Sequence, residues 1–224
     1  MRKFLRNHRD FIAFLLAFGV FRTCLADWNP VPSGSMRPTI QEGDVVLVDR
    51  TAYSLKVPLT NHVLARLGEP ARGDIVVFDS PTDGTRLVKR LVAVPGDRVE
   101  MHARQLRING EPALYSEGNW VSERIDEGTV IAALRATETI GDRPHAVQWL
   151  RPVGAGPGDD FGPLVVPPDH YLMLGDNRDN SADSRWFGLV PRHLLTGRAH
   201  RILVAADIED DWAPRFERFG KKLD

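Results

Sequence analysis

Apolar residues in this chain fall into short runs rich in Val, Ile and Leu, and Gly, Pro and Asp interrupt them repeatedly. The stretches "DVVLVD" from Asp44, "GDIVVFD" from Gly73, "TRLVKRLVAV" from Thr85, "RVEMHARQLRINGEP" from Arg98 and "HYLMLGD" from His170 predict strands, as do residues 199–206. The pattern is that of a mostly β, largely antiparallel protein. Asn109-Gly110 is a hairpin signal, so "QLRI" and "PALY" are expected to pair across it. Helix is sparse, with one or two turns expected in "SLKVPLTNHVLARL" from Ser54. Residues 117–168 are polar and rich in Gly and Pro, most of all in "RPVGAGPGDDFGP", and predict a peripheral insertion with a long loop. The tail "DWAPRFERFGKKLD" reads as a frayed terminus or a short amphipathic segment.

The first 27 residues follow another pattern. Arg2, Lys3, Arg6 and Arg9 form a basic flank, and "FIAFLLAFGVF" after it carries no charge. Two readings of this segment compete: a removable signal peptide cut after "CLA", with Cys24 and Ala26 at the cleavage positions, or a membrane anchor. Counted to Ala26, the apolar segment has 16 residues. As helix these span about 24 Å against a hydrocarbon core of about 30 Å. Arg22 can snorkel toward the headgroups at the far end, beside Trp28 at the interface. Composition leaves the two readings open.

At 224 residues the length suits one large β-domain. Lys and Arg number 29 against 30 Asp and Glu, a balance that gives no nucleic-acid footprint. With Cys24 alone, no intramolecular disulfide and no cysteine cluster for zinc can form. The seven histidines, His8, His62, His102, His145, His170, His193 and His200, sit in ordinary polar text or beside strands, and each reads as a surface or packing residue. There is neither a GxSxG elbow nor an HExxH zinc site.

Two features remain that carry chemistry. "VPSGSMRPTIQEGD" from Val31 sets two serines, a glycine and two prolines before a strand, which suits either a flexible linker or the seat of a nucleophile. Lys89 stands among Leu87, Val88, Leu91 and Val92, where burial would disfavour its ammonium form and leave an amine able to act as a base. Alternation puts Lys89 and Arg90 on opposite faces of the strand, so one of them faces inward or the strand is an edge. A lone lysine on a half-exposed strand is ordinarily solvated.

The order of blocks changes that reading. "PSGSMRPT" from Pro32, "GDIVVF" from Gly73, "KRLVAVPGD" from Lys89 and "GDNRDNSADSRWFG" from Gly175 together resemble the bacterial type I signal peptidases, membrane-bound Ser-Lys proteases that remove signal peptides from exported proteins. The resemblance covers nearly the whole chain and is weakest over 117–168. It implies that Ser35 is the nucleophile, that Ser33 and the Ser35 backbone N–H bind the oxyanion, that Lys89 is the general base and that Ser181 orients its amine. Asp183 and Arg185 would brace the site, with Gly175 in support, while Asp176, Asn177, Arg178 and Asp179 shape a turn. Aspartates in that block would suit a metal on composition alone; the resemblance implies that they hold none and that no cofactor is used.

The same resemblance implies an antiparallel β-domain of the signal-peptidase and repressor-protease type, with a β-rich insertion at 117–168, on an N-terminal transmembrane helix. Residues 1–10 would be a cytoplasmic flank, 11–27 a single uncleaved anchor in the bacterial inner membrane, and 28–224 a catalytic domain on the outer, periplasmic face. Preprotein signal peptides and membrane lipid are the implied partners, with no nucleic acid and no metal. Substrate would add as a strand to an exposed edge and be cut after Ala-x-Ala, its small side chains in pockets lined by Val31, Pro32, Met36, Ile40, Leu87 and Val88. Leu87 stands where many relatives carry an aromatic residue, which alters the pocket. Three rivals stand beside this reading. A self-cleaving repressor-type regulator is disfavoured because only 34 residues precede Ser35. The others are a dedicated paralogue that processes one protein, such as a conjugation pilin, and an inactive membrane-tethered module that only binds peptides, which would be expected to lack Ser35 or Lys89.

Overall fold

The computed structural model describes residues 8–58, 60, 62–126, 129–150, 158–208 and 211–223. Helix α1 (Arg9–Cys24) leads directly into β1 (Ala26–Pro30), and a single 3-10 turn, Gly34–Met36, precedes β2 (Asp44–Asp49). There follow β3 (Ser54–Lys56), β4 (Val63–Arg66), β5 (Ile75–Asp79), β6 (Arg86–Ala93), β7 (Arg98–His102), β8 (Gln105–Ile108), β9 (Glu111–Pro112) and β10 (Leu114–Tyr115). The second half holds β11 (Asn119–Asp126), β12 (Thr129–Ile140), β13 (Arg143–Trp149), β14 (Phe161–Val165), β15 (His170–Leu174), a short helix α2 (Ser184–Phe187), β16 (Val190–Pro191), β17 (Leu195–Asp207) and β18 (Ala213–Pro214).

The main sheet runs β1-β2-β17-β5-β6-β15-β16, with β18 added to β17, and its strands pair antiparallel. Both of its faces are covered. Ile75 and Val77 of β5 pack with Val31, Met36, Ile40, Val46 and Val48, while Val76 and Phe78 pack with Leu91, Tyr171, Met173 and Leu195. This explains why "IVVF" is a continuous apolar run, since a strand buried on both sides has no polar face to alternate with. The same covering buries Lys89 and Arg90 together on β6, so neither faces solvent and the strand is not an edge.

The expected strands are all present, and the Asn109-Gly110 turn joins β8 to β9 with both residues at positive φ, 55° and 85°, as a tight hairpin of this type requires. The expected pairing of "QLRI" with "PALY" holds only over Pro112 and Ala113; Leu114 and Tyr115 turn away to form β10, which pairs with β12. The helical turns expected from Ser54 are not formed. That stretch is the hairpin β3–β4, with Ser54 paired to Arg66. Ser54 and Lys56 alternate inward, and the Lys56 ammonium donates to the carbonyls of His193 and Leu195, a role the strand period allows and Pro58 denies to a helix. Within 117–168 most of the described chain is strand: β11 and β13 pair with β12, which β10 joins from just before the segment, and β14 pairs with β7. Much of the Gly- and Pro-rich text, 151–157, lies outside the described residues.

The tail is docked. Arg218 is buried and its guanidinium meets both carboxylate oxygens of Asp44, at 2.9 and 2.5 Å, while the Ile202 N–H donates to Lys221 O and Leu223 is buried. Most of the basic flank, residues 1–7, lies outside the described residues. Helix α1 has 16 residues, and among the described residues no helix is long and apolar enough to cross a membrane.

Ile40 is fully buried between the 3-10 turn and the main sheet. Ile40→Ala is expected to cost about 2–5 kcal/mol. Urea unfolding should show it as a lower midpoint at unchanged slope, whereas Val204→Ala on the exposed surface should stay within about 0.5 kcal/mol of the parent.

Candidate active site

The turn that carries Ser35 is fixed from three sides. Arg37 N donates to Gly34 O and Ile40 N to Met36 O, closing the turn on itself, while the Met36 side chain is fully buried beneath it. Glu42 lies so close that a Cβ on Gly34 would stand 2.4 Å from its Oε1, so any larger residue there would displace the Glu42 carboxylate that Arg37 holds. From the far end of the chain Asn177 closes the third side: its side chain donates to Gly34 O at 3.0 Å and its backbone N–H to Ser35 O at 3.1 Å.

Strand β6 brings Lys89 to this turn. Its Nζ lies 2.6 Å from Ser35 Oγ, and both residues are buried, at 3% and 7% exposure. Ser33 is exposed on the open side, with its Oγ 3.5 Å from Ser35 Oγ. Burial pushes the Lys89 ammonium down to about 8, and the charges of Asp183 and Asp176 limit the fall. The pair therefore has the geometry of a nucleophile and a base, with the base poised to lose its proton in mildly alkaline water.

The carboxylates near the lysine are already occupied. Burial by itself would raise the Asp176 carboxyl, but Arg90 meets both its oxygens at 2.8 Å and holds it below the usual range, and Thr39 donates to it as well. Asp183 likewise would rise on burial, but it accepts from Arg185 Nε and Nη2 at 2.8 Å and from the Gly175 N–H at 3.0 Å, which keep it low. Asp183 also caps α2 by accepting from the Arg185 N–H, so one carboxylate fixes the helix, the arginine and Gly175.

Gly175 is the tightest point of the site: a Cβ there would stand 2.2 Å from Ser181 Oγ and 2.5 Å from Ser35 O. The Ser181 hydroxyl is buried and makes no hydrogen bond of good geometry, to Lys89 or otherwise, although it lies near enough to Asp183 to help hold that carboxyl ionised. Of the six residues expected to line pockets, Pro32 is exposed and Leu87 and Val88 are half-buried, while Val31, Met36 and Ile40 belong to the core. Val88 packs with Val31, Met36 and Ile40; Leu87 packs instead with Tyr53 and Phe78. Among the described residues no group of three or more His, Cys, Asp or Glu is placed to hold a metal ion.

Sequence reasoning missed the ionic supports. Arg178, read as a turn residue, is fully buried against Glu138 of β12, and His145 of β13 comes within 3.0 Å of the same carboxylate without hydrogen-bond geometry. Burial would raise Glu138, but Arg178 and His145 outweigh it and keep the carboxyl well below its usual range. Arg37, two residues past the serine, reaches Glu42 and Glu123 of β11, and Glu123 also holds Arg135. Nothing in "TVIAALRATETI" marks Glu138 as buried, because its partner is 40 positions away. Arg90 carried a signal, its place on an apolar strand opposite Lys89.

A family model described as signal peptidase, peptidase S26, matches residues 5–204 of this chain. A signal peptidase I of Buchnera aphidicola is 30% identical over 255 aligned positions, which take in 97% of this chain and 81% of that one. A signal peptidase I of Pseudomonas aeruginosa is 31% identical, covering 95% and 77%. One of Rickettsia typhi is 34% identical, covering 84% and 76%.

Glu138→Gln would leave the buried Arg178 uncompensated, with an expected loss of about 3–5 kcal/mol of stability by chemical denaturation. Gly175→Ala should preserve much of the fold elsewhere yet push Ser35 and Ser181 apart, and labelling of Ser35 by a serine-reactive phosphonate or β-lactam probe should fall at least about tenfold.

Proposed function

This chain belongs to the signal peptidase family, peptidase S26, and on that premise we propose that Ser35 and Lys89 perform the cleavage by which it removes signal peptides from exported preproteins. The observation that carries the proposal is the 2.6 Å approach of the Lys89 amine to the Ser35 hydroxyl in a site that buries both residues. Neutral Lys89 takes the Ser35 proton as the hydroxyl oxygen attacks the carbonyl carbon of the terminal Ala in an Ala-x-Ala sequence. The oxyanion is met by the Ser35 backbone N–H and the Ser33 hydroxyl, donors of a kind that commonly lower such a barrier by about 3 kcal/mol. The Lys89 ammonium then returns the proton to the leaving amine, leaving an ester on Ser35. Water hydrolyses that ester, with Lys89 again the base. Asp183, Arg185 and Gly175 hold the turn in register, Ser181 orients the amine once its hydroxyl rotates from the position in which it makes no hydrogen bond of good geometry among the described residues, and the half-buried Val88 together with Val31 shapes small pockets for the substrate.

Helix α1 carries exposed Phe11, Phe14, Leu15, Phe18, Val20 and Phe21, apolar surface that water disfavours and a bilayer accepts. In this reading α1 and the basic residues before it are a single uncleaved anchor of the bacterial inner membrane, with the flank in the cytoplasm. The catalytic domain, with its insertion at 117–168, then stands on the outer face, where signal peptides emerge.

Detergent-solubilised protein should cleave a preprotein bearing an Ala-x-Ala site, and Ser35→Ala and Lys89→Ala should each lower the rate by roughly a thousandfold or more. Cleavage that survives both substitutions would overturn the assignment. Because the base works only when uncharged and its amine is lowered to about 8, the rate should rise about tenfold from pH 7 to pH 9 and then level off. A flat profile over that range, with chemistry limiting, would contradict a titrating Lys89.

A further inference from the structure

Where α1 meets the β-domain, a cavity of about 620 Å³ opens, lined by Phe18, Arg22, Asp27, Arg50 and Arg86 among others. Its charges do not balance. Arg22 Nε bonds Asp27 at 3.0 Å, whereas Arg50 and Arg86 come no nearer to that carboxylate than 3.5 and 3.8 Å; Arg86 also reaches Asp79 at 3.2 Å. Asp27 Oδ1 is further engaged by the Trp28 N–H. Three guanidinium groups thus share two carboxylates.

Arg50 is the most telling of them. Its side chain is only 11% exposed, and among the described residues it makes one ion pair, the long one to Asp27, and no hydrogen bond. A guanidinium offers five donors in a planar fork, and those of Arg50 are engaged only by this long ion pair, which leaves them able to take a further acceptor. Burial lowers Arg50 from its ordinary value; Asp27 opposes this and Arg86 adds to it. Lys56, behind the cup and bonded only to neutral carbonyls, is lowered to about 8 by burial and by the positive charges of Arg50 and Arg86, with Asp79 opposing. Several positive charges are therefore held together around a cavity whose lining carries one carboxylate, Asp27.

The apolar side of the cup identifies the class of anion. Phe18 lines it, and the exposed face of α1, with Phe14, Phe18 and Phe21, runs on from it. Arg22 lies 4.4 Å over the Trp28 ring, which positions its guanidinium at the boundary between the apolar and charged surfaces. We propose that this cup binds the phosphate of an anionic phospholipid, with Arg22, Arg50 and Arg86 as its donors and the acyl chains lying along α1. Guanidinium forks match phosphate oxygens in pairs, and an anionic headgroup supplies the charge that Asp27 and Asp79 leave unmet. Arg86 opens the strand that carries Lys89 three residues later, so the lipid would tether the entrance of β6 to the bilayer surface. The inference shares with the preceding section the placement of α1 in a membrane, and it is independent of the peptide-bond chemistry.

The test uses the full chain in a non-ionic detergent, titrated separately with short-chain phosphatidylglycerol, short-chain phosphatidylcholine and inorganic phosphate, with thermal unfolding as the readout. Phosphatidylglycerol is expected to raise Tm by about 5 °C at saturation, and neither other probe should do so at the same concentration. Arg22 and Arg86 are half-exposed, so the double variant Arg22→Gln/Arg86→Gln should fold with nearly the parental Tm in the absence of lipid, yet need at least about tenfold more phosphatidylglycerol for half the shift. Equal shifts with phosphatidylcholine would mean that the acyl chains alone are recognised, and equal shifts with phosphate would mean a free-anion site; either result overturns the proposal, as does an unchanged response in the double variant. Preprotein cleavage by the same samples is read separately, so a failure of the Ser35–Lys89 assignment would leave the lipid result standing.

Discussion

Keeping an amine uncharged inside a protein is the constraint to which the rest of this site answers. Lys89 is dry because β6 is covered on both faces, and its ammonium is disfavoured for that reason alone. Any free carboxylate beside it would reverse the effect. Asp176 and Asp183 both lie close enough to pull the amine back toward its charged form, and each is matched by an arginine with two hydrogen bonds, Arg90 and Arg185. The ion pairs thus keep the field at the lysine small while leaving no buried charge alone.

Those pairs also bring distant parts of the chain together. Asn177 grips the serine turn, Arg178 grips Glu138 on β12, and Arg37 grips Glu123 on β11. Buried ion pairs add little net stability, but they penalise every arrangement in which one partner lacks the other. In this chain they specify where the segment built on β11–β13 sits relative to the serine, a task that apolar contacts would perform with less discrimination.

Most of the sheet was legible because strands write their period into the sequence. β2, β5, β6 and β15 were readable from Val- and Leu-rich runs, and the β8–β9 turn from Asn109-Gly110. β3–β4 was misread because the inward positions of β3 are the polar Ser54 and Lys56, and the register skips Leu64 on β4, so no apolar alternation announces the hairpin. The candidate nucleophile and base were legible only through block order and family likeness, since a serine beside glycine and a lysine among valines are individually commonplace. Asp183, Arg185 and Gly175 were legible in the same way, but the long-range ion pairs were not, because a charged residue carries no local mark of burial when its counter-ion is far away in the chain: Glu138 and Arg178 are 40 positions apart, and Asp44 and Arg218 are 174 apart.

That last separation bears on how the molecule comes into being. Strand β17 lies between β2 and β5 in the main sheet, and the segment after it returns to β2 through Arg218 and Asp44. The sheet that buries Lys89 thus has a gap in its middle until β17 arrives late in the chain. Sheets with such non-local pairing form slowly, because loop closure precedes the contacts that reward it. A chain folded only as far as β15 therefore leaves the middle of that sheet open, and the enclosure of Lys89 is completed only when the last quarter of the sequence is in place.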